Sequence, residues 1–548
     1  MEYKTPLANF LLHASTRPND IFLHQPIEGD YHTFTFAEVE KKARQIAHYL
    51  QQQGYQTGER IGILAKNCAE WFITDLAIMM AGMISVPIYG TAGKGTISYV
   101  IEHSAMKAIF VGPLDKTDAF LGADKGAIEI ISFGNHYPNA IAGDMDLVQI
   151  FNEQPVLEQL HEAGMDDCMS IVYTSGTTGA PKGVVISYKN LSSAAHATVK
   201  VIGSQGNDRI LSYLPLAHIT ERCVVECNAF ESGMQVYFVE SLDKFIDNLR
   251  YCSPTLFISV PRLWSKFQSQ ILAKMPSWKL NILLAIPVVR NMVAKKIRAG
   301  LGLADCRLFA SGSAPISVDV LKWYAQVGVN ISEGWGMTET SGLSAGNLPF
   351  EEALLGTIGK PVDCVEMKLS DENEVLIRGD AVFKEYYHSP KATAEAFVDG
   401  WFRTGDKGEI DDNGAYKIVG RIKEQFKTAK GKYVVPVPIE RMLAKNVQIE
   451  QVCVIGYGRP QPLALVVLAE GIDASHDGVQ QSLLATLTEV NAELESHQKL
   501  DYIYVCKDAW DVSNELLTPT LKLKRNEIEQ YYQDKLVEQT RDKVIIEA

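Results

Sequence analysis

Short apolar runs rich in β-branched residues alternate with helix-patterned stretches through most of this 548-residue chain. Arg60 to Leu64 precedes a helical pattern at Glu70 to Met83, Ile84 to Ile88 precedes Ile97 to His103, and Ala108 to Val111 follows. Strands spaced by helices need crossover connections, so the pattern predicts an α/β fold with largely parallel sheet. It recurs further on, with Ile210 to Leu214 before Glu221 to Phe230, Gln235 to Val239 before Leu242 to Tyr251, and Thr255 to Val260 before a longer helical region. A second α/β layer is therefore expected. From Val365 to Leu369, Glu374 to Arg378 and Tyr416 to Val419 the strands shorten and glycine turns grow denser, which predicts a β-rich subdomain closing a large N-terminal unit. A charged stretch opens at Gly420-Arg421, and strands such as Gln451 to Tyr457 and Ala464 to Leu468 alternate with helices beyond it. The chain is too long for one core, and the boundary falls between residues 1–420 and residues 421–548.

The 52 Lys and Arg against 66 Asp and Glu give a net charge of −14, which excludes broad electrostatic attraction to nucleic acid or anionic lipid over the whole surface. Nine scattered cysteines without a Cys-x-x-Cys pair point to neither a disulfide framework nor zinc, and Cys223 and Cys227 in C-V-V-E-C read as buried thiols. A reducing compartment fits. The N-terminal segment lacks the length and small-residue ending of a secretory signal, and the apolar stretch Trp71 to Tyr89 contains Asp75, Gly82 and Pro87. A cytoplasmic protein without a transmembrane anchor is expected.

Residues Tyr173 to Gly183 read Y-T-S-G-T-T-G-A-P-K-G. Gly176, Gly179 and Gly183 let the backbone approach anionic oxygens closely, Thr174, Ser175, Thr177 and Thr178 add hydroxyl donors, and Lys182 adds a mobile charge. The spacing is not that of a Walker loop, because Lys182 follows Pro181 and precedes a glycine. Strand-like S-I-V-Y and V-V-I-S on either side argue against a linker and for a polyphosphate loop. A second tract, S-E-G-W-G-M-T-E-T at Ser332 to Thr340, sets Trp335 between Gly334 and Gly336, where its ring can be offered to a base. Thr338 and Glu339 supply hard oxygens of the kind Mg²⁺ takes beside phosphates, although a turn with a core tryptophan explains the tract equally well on its own. A third, W-F-R-T-G-D at Trp401 to Asp406, puts a carboxylate just after an expected turn, placed to accept from two ribose hydroxyls, and Arg421 in G-R-I-K-E can donate to the same sugar or to a phosphate.

These four tracts, in this order and at these separations over nearly the whole chain, resemble the AMP-forming adenylating superfamily of acyl-CoA synthetases, peptide-synthetase adenylation domains and luciferases. The resemblance implies attack of a carboxylate on the α-phosphorus of Mg-ATP, release of pyrophosphate, and transfer of the acyl group from the adenylate to the thiol of coenzyme A. It implies layered α/β subdomains with a β-rich subdomain in the large unit, and a small mobile α+β C-terminal domain. Thr174, Ser175, Gly176, Thr177, Thr178, Gly179 and Lys182 would then hold phosphates, and Glu339 with Thr174 would bind Mg²⁺. Gly334, Trp335, Gly336 and Thr338 would border the nucleotide, Asp406 and Arg421 would fix its ribose, Lys423 would be the hinge, and Gly431 would lie in the loop of the thioester step. Lys522, in L-T-P-T-L-K-L-K-R, matches the lysine that serves adenylation, with Leu521 in place of the usual glycine and Lys524 as a competitor.

Y-L-P-L-A-H-I-T-E-R at Tyr213 to Arg222, the stretch Arg421 to Glu440 and the Lys522 segment are similar to long-chain fatty acyl-CoA synthetases, which implies a fatty acid substrate. His218 and the turn Ser311, Gly312, Ser313, Ala314 would wall the acyl pocket, His218 serving either a structural or an acyl-orienting role. Two alternatives stay open: a fatty acyl-AMP ligase loading a carrier protein, and a catalytically silent acyl or nucleotide binder. Trp278 to Arg298 mixes apolar residues with Lys279, Arg290, Lys295, Lys296 and Arg298, a composition suited either to packing or to peripheral membrane contact.

Overall fold

The computed structural model describes residues 3–134, 136–137, 139–174, 181–512, 514–518, 522–536 and 542–547. It groups into two compact units, Met1–Ala314 with Trp323–Met367 and Ile377–Phe402, and Pro315–Lys322 with Lys368–Leu376 and Arg403–Ala548.

The first unit carries two large sheets. One has a parallel centre made by Gln235–Phe238, Arg209–Ser212, Leu256–Ser259, Leu308–Ser311 and Ile331–Met337. The other sets Arg60–Ala65 between Ile84–Tyr89 and Ala108–Val111, all parallel, and continues beyond Ile84–Tyr89 through the parallel strand Cys168–Thr174 to its antiparallel neighbour Lys182–Ser187. The helix Ala69–Met80 is buried on every side and packs against strands of both sheets, which is why its sequence is apolar almost all round. Asp75 on this helix is fully buried, and its charge is met by Arg222, whose Nη2 donates to Asp75 Oδ2 at 2.8 Å.

Local signals set the ends of the elements that matter below. Ser187 closes a capping box with Asn190 at the start of the helix Tyr188–Ile202, which stops at Gly203 in a left-handed conformation. Segment Arg222–Cys227 is a π-helix, a wider turn that the sequence pattern did not announce. It is pinned by the buried Asp75 pair and by Gly342, where a side chain would come within 2.7 Å of Cys223 Cβ.

In the second unit, Ile449–Ile455, Leu463–Leu468, Ile503–Val505 and Val544–Ile546 form a four-stranded sheet over the helix Asp477–Glu493. Arg525 anchors its last long helix, pairing with Glu440 at 2.5 and 3.2 Å. All nine cysteines are free. Among the described residues no helix is long and apolar enough to cross a membrane, and no cluster of His, Cys, Asp and Glu is arranged to hold a metal by itself.

Candidate active site

The flanks of the glycine and hydroxyl loop form an antiparallel pair with Thr174 opposite Lys182 and Tyr173 opposite Gly183. Thr174 Oγ1 donates to the Lys182 carbonyl at 3.4 Å, so the two ends of the loop are held together. Ser175, Gly176, Thr177, Thr178 and Gly179 lie outside the described residues. Gly183 is tightly enclosed, since a Cβ there would sit 2.8 Å from Ile171 and 3.2 Å from Tyr387.

Glu385–Tyr386 pairs antiparallel with the loop's exit strand, Tyr386 opposite Val184 and Glu385 opposite Val185. That register places Tyr386 beneath the loop lysine, with Lys182 Nζ 4.9 Å from the ring centroid. The same tyrosine donates its hydroxyl to Glu339 Oε1 at 2.8 Å. Burial, and then the neighbouring Glu339 carboxylate, push the Tyr386 phenol well above its ordinary range, so it stays a donor. Asn190 holds this segment by donating to the carbonyls of Asp380 and Val382, and the Phe383 N–H donates to the Glu339 carbonyl. Tyr386 thus gathers Lys182 and Glu339, two residues far apart in sequence, and no motif in the chain singled it out.

Glu339 sits on the tight turn Thr338–Thr340 that ends the strand Ile331–Met337. The tract Ser332 to Met337 is therefore strand, not loop, and it pairs with Gly342–Gly346. Gly336 is obligatory there, because a Cβ would lie 1.5 Å from the Gly342 carbonyl oxygen. Trp335 is half-buried against the core, and Thr338 is half-buried as well. Ser311 pairs with Glu333 across parallel strands, and a Cβ on Gly312 would meet the Gly334 carbonyl at 3.3 Å, so the turn Ser311 to Ala314 runs alongside the Trp335 strand. Ser311 Oγ is buried without a hydrogen-bond partner among the described residues, and Ser313 holds a left-handed φ of 65°.

His218 caps the short helix Ile219–Glu221, its Nδ1 accepting from the Thr220 N–H at 3.3 Å, while its carbonyl accepts from the Arg222 N–H at 3.2 Å. Next to it, Glu221 is buried and accepts from Ser212 Oγ, the Tyr213 N–H and Asn67 Nδ2. Burial outweighs these donors and pushes its carboxyl up to about 8.

In the second unit, Asp406 and Arg421 face each other across paired strands, Arg421 Nε 2.9 Å from Asp406 Oδ1. Asp406 does not follow a turn, as expected, but lies within the ten-residue strand Trp401–Ile410. The turn-like T-G-D arises from Gly405, whose φ is 70° and whose N–H donates to Glu374. Asp406 is buried, which sets its pair with Arg421 apart from an ordinary surface bridge. Lys423 is exposed on the turn Ile422–Glu424, and Gly431 takes φ 76° in the turn joining Phe426–Lys427 to Tyr433–Val434. Lys522 is exposed, its backbone N–H donating to Thr518 Oγ1 and its carbonyl accepting from the Thr518 N–H, whereas Lys524 caps the helix Arg525–Tyr532.

The AMP-binding enzyme family matches residues 10–387, and the AMP-binding enzyme C-terminal domain matches residues 423–542. A long-chain-fatty-acid–CoA ligase of Mycobacterium bovis is 30% identical over 96% of this chain and 95% of its own length. Long-chain-fatty-acid–CoA ligase 1 of Cavia porcellus is 30% identical over 93% of this chain and 82% of its own. Among solved structures, an anthranilate CoA ligase in complex with anthranoyl-AMP superposes with a TM-score of 0.79 at 22% identity, covering 97% of this chain and 98% of that one, a likeness of fold. With both family matches in place along the chain and relatives aligned over more than nine-tenths of it, the chain belongs to the AMP-binding enzyme family, as an AMP-forming acyl-CoA synthetase most similar to the long-chain type.

Proposed function

We propose that this enzyme activates a long-chain fatty acid in the cytoplasm, using Lys182, Glu339 and Tyr386 in the first unit and Asp406, Arg421 and Lys522 in the second. In the first half-reaction a carboxylate oxygen forms a bond to the α-phosphorus of ATP as the bond to pyrophosphate breaks. In the second, the thiol of CoA forms the thioester and AMP leaves. The single observation that carries the reading is Tyr386, which holds the loop lysine over its ring and hydrogen-bonds the buried Glu339.

Glu339 is a hard, buried oxygen donor held in place by a hydroxyl, which suits Mg²⁺, and Thr174 would complete its hold from the loop's entry. Mg²⁺ there would offset the negative charge of the phosphates. Lys182 and the loop stabilise departing pyrophosphate, and Lys522 stabilises charge at the attacked phosphorus. Asp406, oriented by Arg421, accepts from the ribose. His218 and Ser311 to Ala314 line the acyl side, Lys423 acts as hinge, Gly431 serves the thioester step, and residues 421–548 are the part that changes role between half-reactions. Peripheral contact with a membrane, where fatty acids partition, completes the reading.

Acid-dependent pyrophosphate release across a series of chain lengths, with and without CoA, tests it. Release should rise toward long chains and acyl-CoA should form. Adenylate that persists in the presence of CoA would favour carrier-protein loading, and ATP binding without pyrophosphate would mean a silent binder.

A further inference from the structure

The connection between the parallel strands Leu256–Ser259 and Leu308–Ser311 is far longer than one crossover helix requires, and it is built from three helices, Pro261–Lys274, Ser277–Ala285 and Pro287–Gly300. Residues 261–300 carry eight basic side chains and no acidic one, within a chain whose net charge is −14. Among the described residues no ion pair engages Lys266, Lys274, Lys279, Arg290, Lys295 or Lys296. An acid-free basic span on an acidic protein concentrates positive potential at one place.

Its apolar residues are displayed as well. Trp278 is 67% exposed, Ile282 57% and Ile286 49%, and their four-residue spacing sets them along one side of the middle helix and its end. Leu280, on the other side, is fully buried and fixes which way the helix faces. On the next helix, Met292 is 68% exposed, and Lys295, Lys296 and Ala299 share its face while Ala294 is buried. Four large apolar side chains left in water within fifteen residues cost free energy unless something covers them. A tryptophan and aliphatic residues flanked by lysines fit the boundary between acyl chains and anionic headgroups, where the ring and the isoleucines leave water and the lysines reach phosphates.

We propose that residues 261–300 form a docking surface for anionic lipid, with Trp278, Ile282, Ile286 and Met292 entering the interface and Lys279, Arg290, Lys295 and Lys296 facing headgroups. The proposal rests on the fatty-acid reading above and names the surface through which the enzyme would meet its membrane-borne substrate. The strand that this connection leads into, Leu308–Ser311, ends at the turn proposed to line the acyl side, so the docking element is one strand away in sequence from that turn.

Flotation of the full chain with phosphatidylcholine vesicles, with and without phosphatidylglycerol, tests the surface. Wild type should float with the anionic vesicles and stay behind with neutral ones. The triple variant Lys279→Glu, Lys295→Glu, Lys296→Glu should lose anionic binding by roughly 10-fold or more. Trp278→Ala with Ile282→Ala should lose roughly 10-fold while keeping a salt-sensitive remainder. Pyrophosphate release with a soluble, short-chain acid should be unchanged in both variants, which shows that they are folded and separates this surface from the chemistry. Wild type that fails to float overturns the proposal, as does flotation unaffected by charge reversal, or retention on a soluble polyanion without any vesicle binding. Absence of pyrophosphate release in the wild type would instead strike at the enzymatic reading alone.

Discussion

Tyr386 joins the two charges on which adenylation in this chain is proposed to depend, donating to Glu339 and lying under Lys182. Its partners were readable from local motifs, because a glycine and hydroxyl loop with a lysine, or a T-E-T turn after a strand, announces itself within a dozen residues. Tyr386 was not readable, since its place depends on Glu385–Tyr386 pairing with a strand some two hundred positions earlier, and K-E-Y-Y has no local signature. Removing only the hydroxyl isolates its part: Tyr386→Phe should lower the rate of adenylation about 10-fold, the scale of one lost bond to a carboxylate. It should also raise the Mg²⁺ concentration needed for half-maximal rate, whereas a purely packing role would leave that requirement unmoved. Lys522→Ala should lower adenylation by ~10²–10³-fold, the loss expected for one preorganised transition-state donor, while CoA transfer from supplied acyl-adenylate survives. Equal loss in both half-reactions would remove Lys522 from the adenylation step and return Lys524 to consideration.

Most secondary elements followed their apolar periodicity, and the differences have physical causes, one local and one distant in sequence. The strand Trp401–Ile410 looked as if a turn broke it because Gly405 takes a positive φ, yet the ladder to Tyr416–Arg421 continues past it with a register shift at Lys407 and Gly408. The π-helix Arg222–Cys227 has no sequence signature, because what holds it is a buried ion pair with a distant helix. Glu226 shares that guanidinium from 3.6 Å, and both its oxygens lack hydrogen bonds among the described residues, so burial, with the nearby Asp75 charge, favours its neutral form. Arg222→Met would leave Asp75 buried without a cation, and we expect it to lower stability by about 3–5 kcal/mol in denaturant unfolding, with partial recovery on adding Asp75→Ala. Glu221 predicts a pH effect. Its carboxyl ordinarily ionises at 4.5 and is raised to about 8 in the fold, so its contribution is fully present below pH 4.5 and is lost as pH rises through 8. Tm of the wild type should therefore fall more steeply between those values than Tm of Glu221→Gln, and parallel curves would refute the assignment.

Across the whole molecule, alternation of strands and helices was enough to give the α/β class, since each strand pattern implies a crossover and each crossover a buried face. What the pattern could not give is how residues far apart in sequence share a sheet: Glu385–Tyr386 pairs with Lys182–Ser187, some two hundred positions earlier. The three-helix connection was visible as composition alone, and only the burial of Leu280 opposite Trp278 and Ile282 shows which side it presents. The claim that binds these scales together is that the chain makes an acyl-adenylate and resolves it with CoA. Quenched single-turnover reactions with a long-chain fatty acid, ATP and Mg²⁺, read by mass spectrometry, test that directly. The account predicts acyl-AMP with an equal amount of pyrophosphate when CoA is absent, and acyl-CoA with an equal amount of AMP when it is present. ADP with inorganic phosphate as products, or acyl-AMP that CoA does not consume, would contradict it.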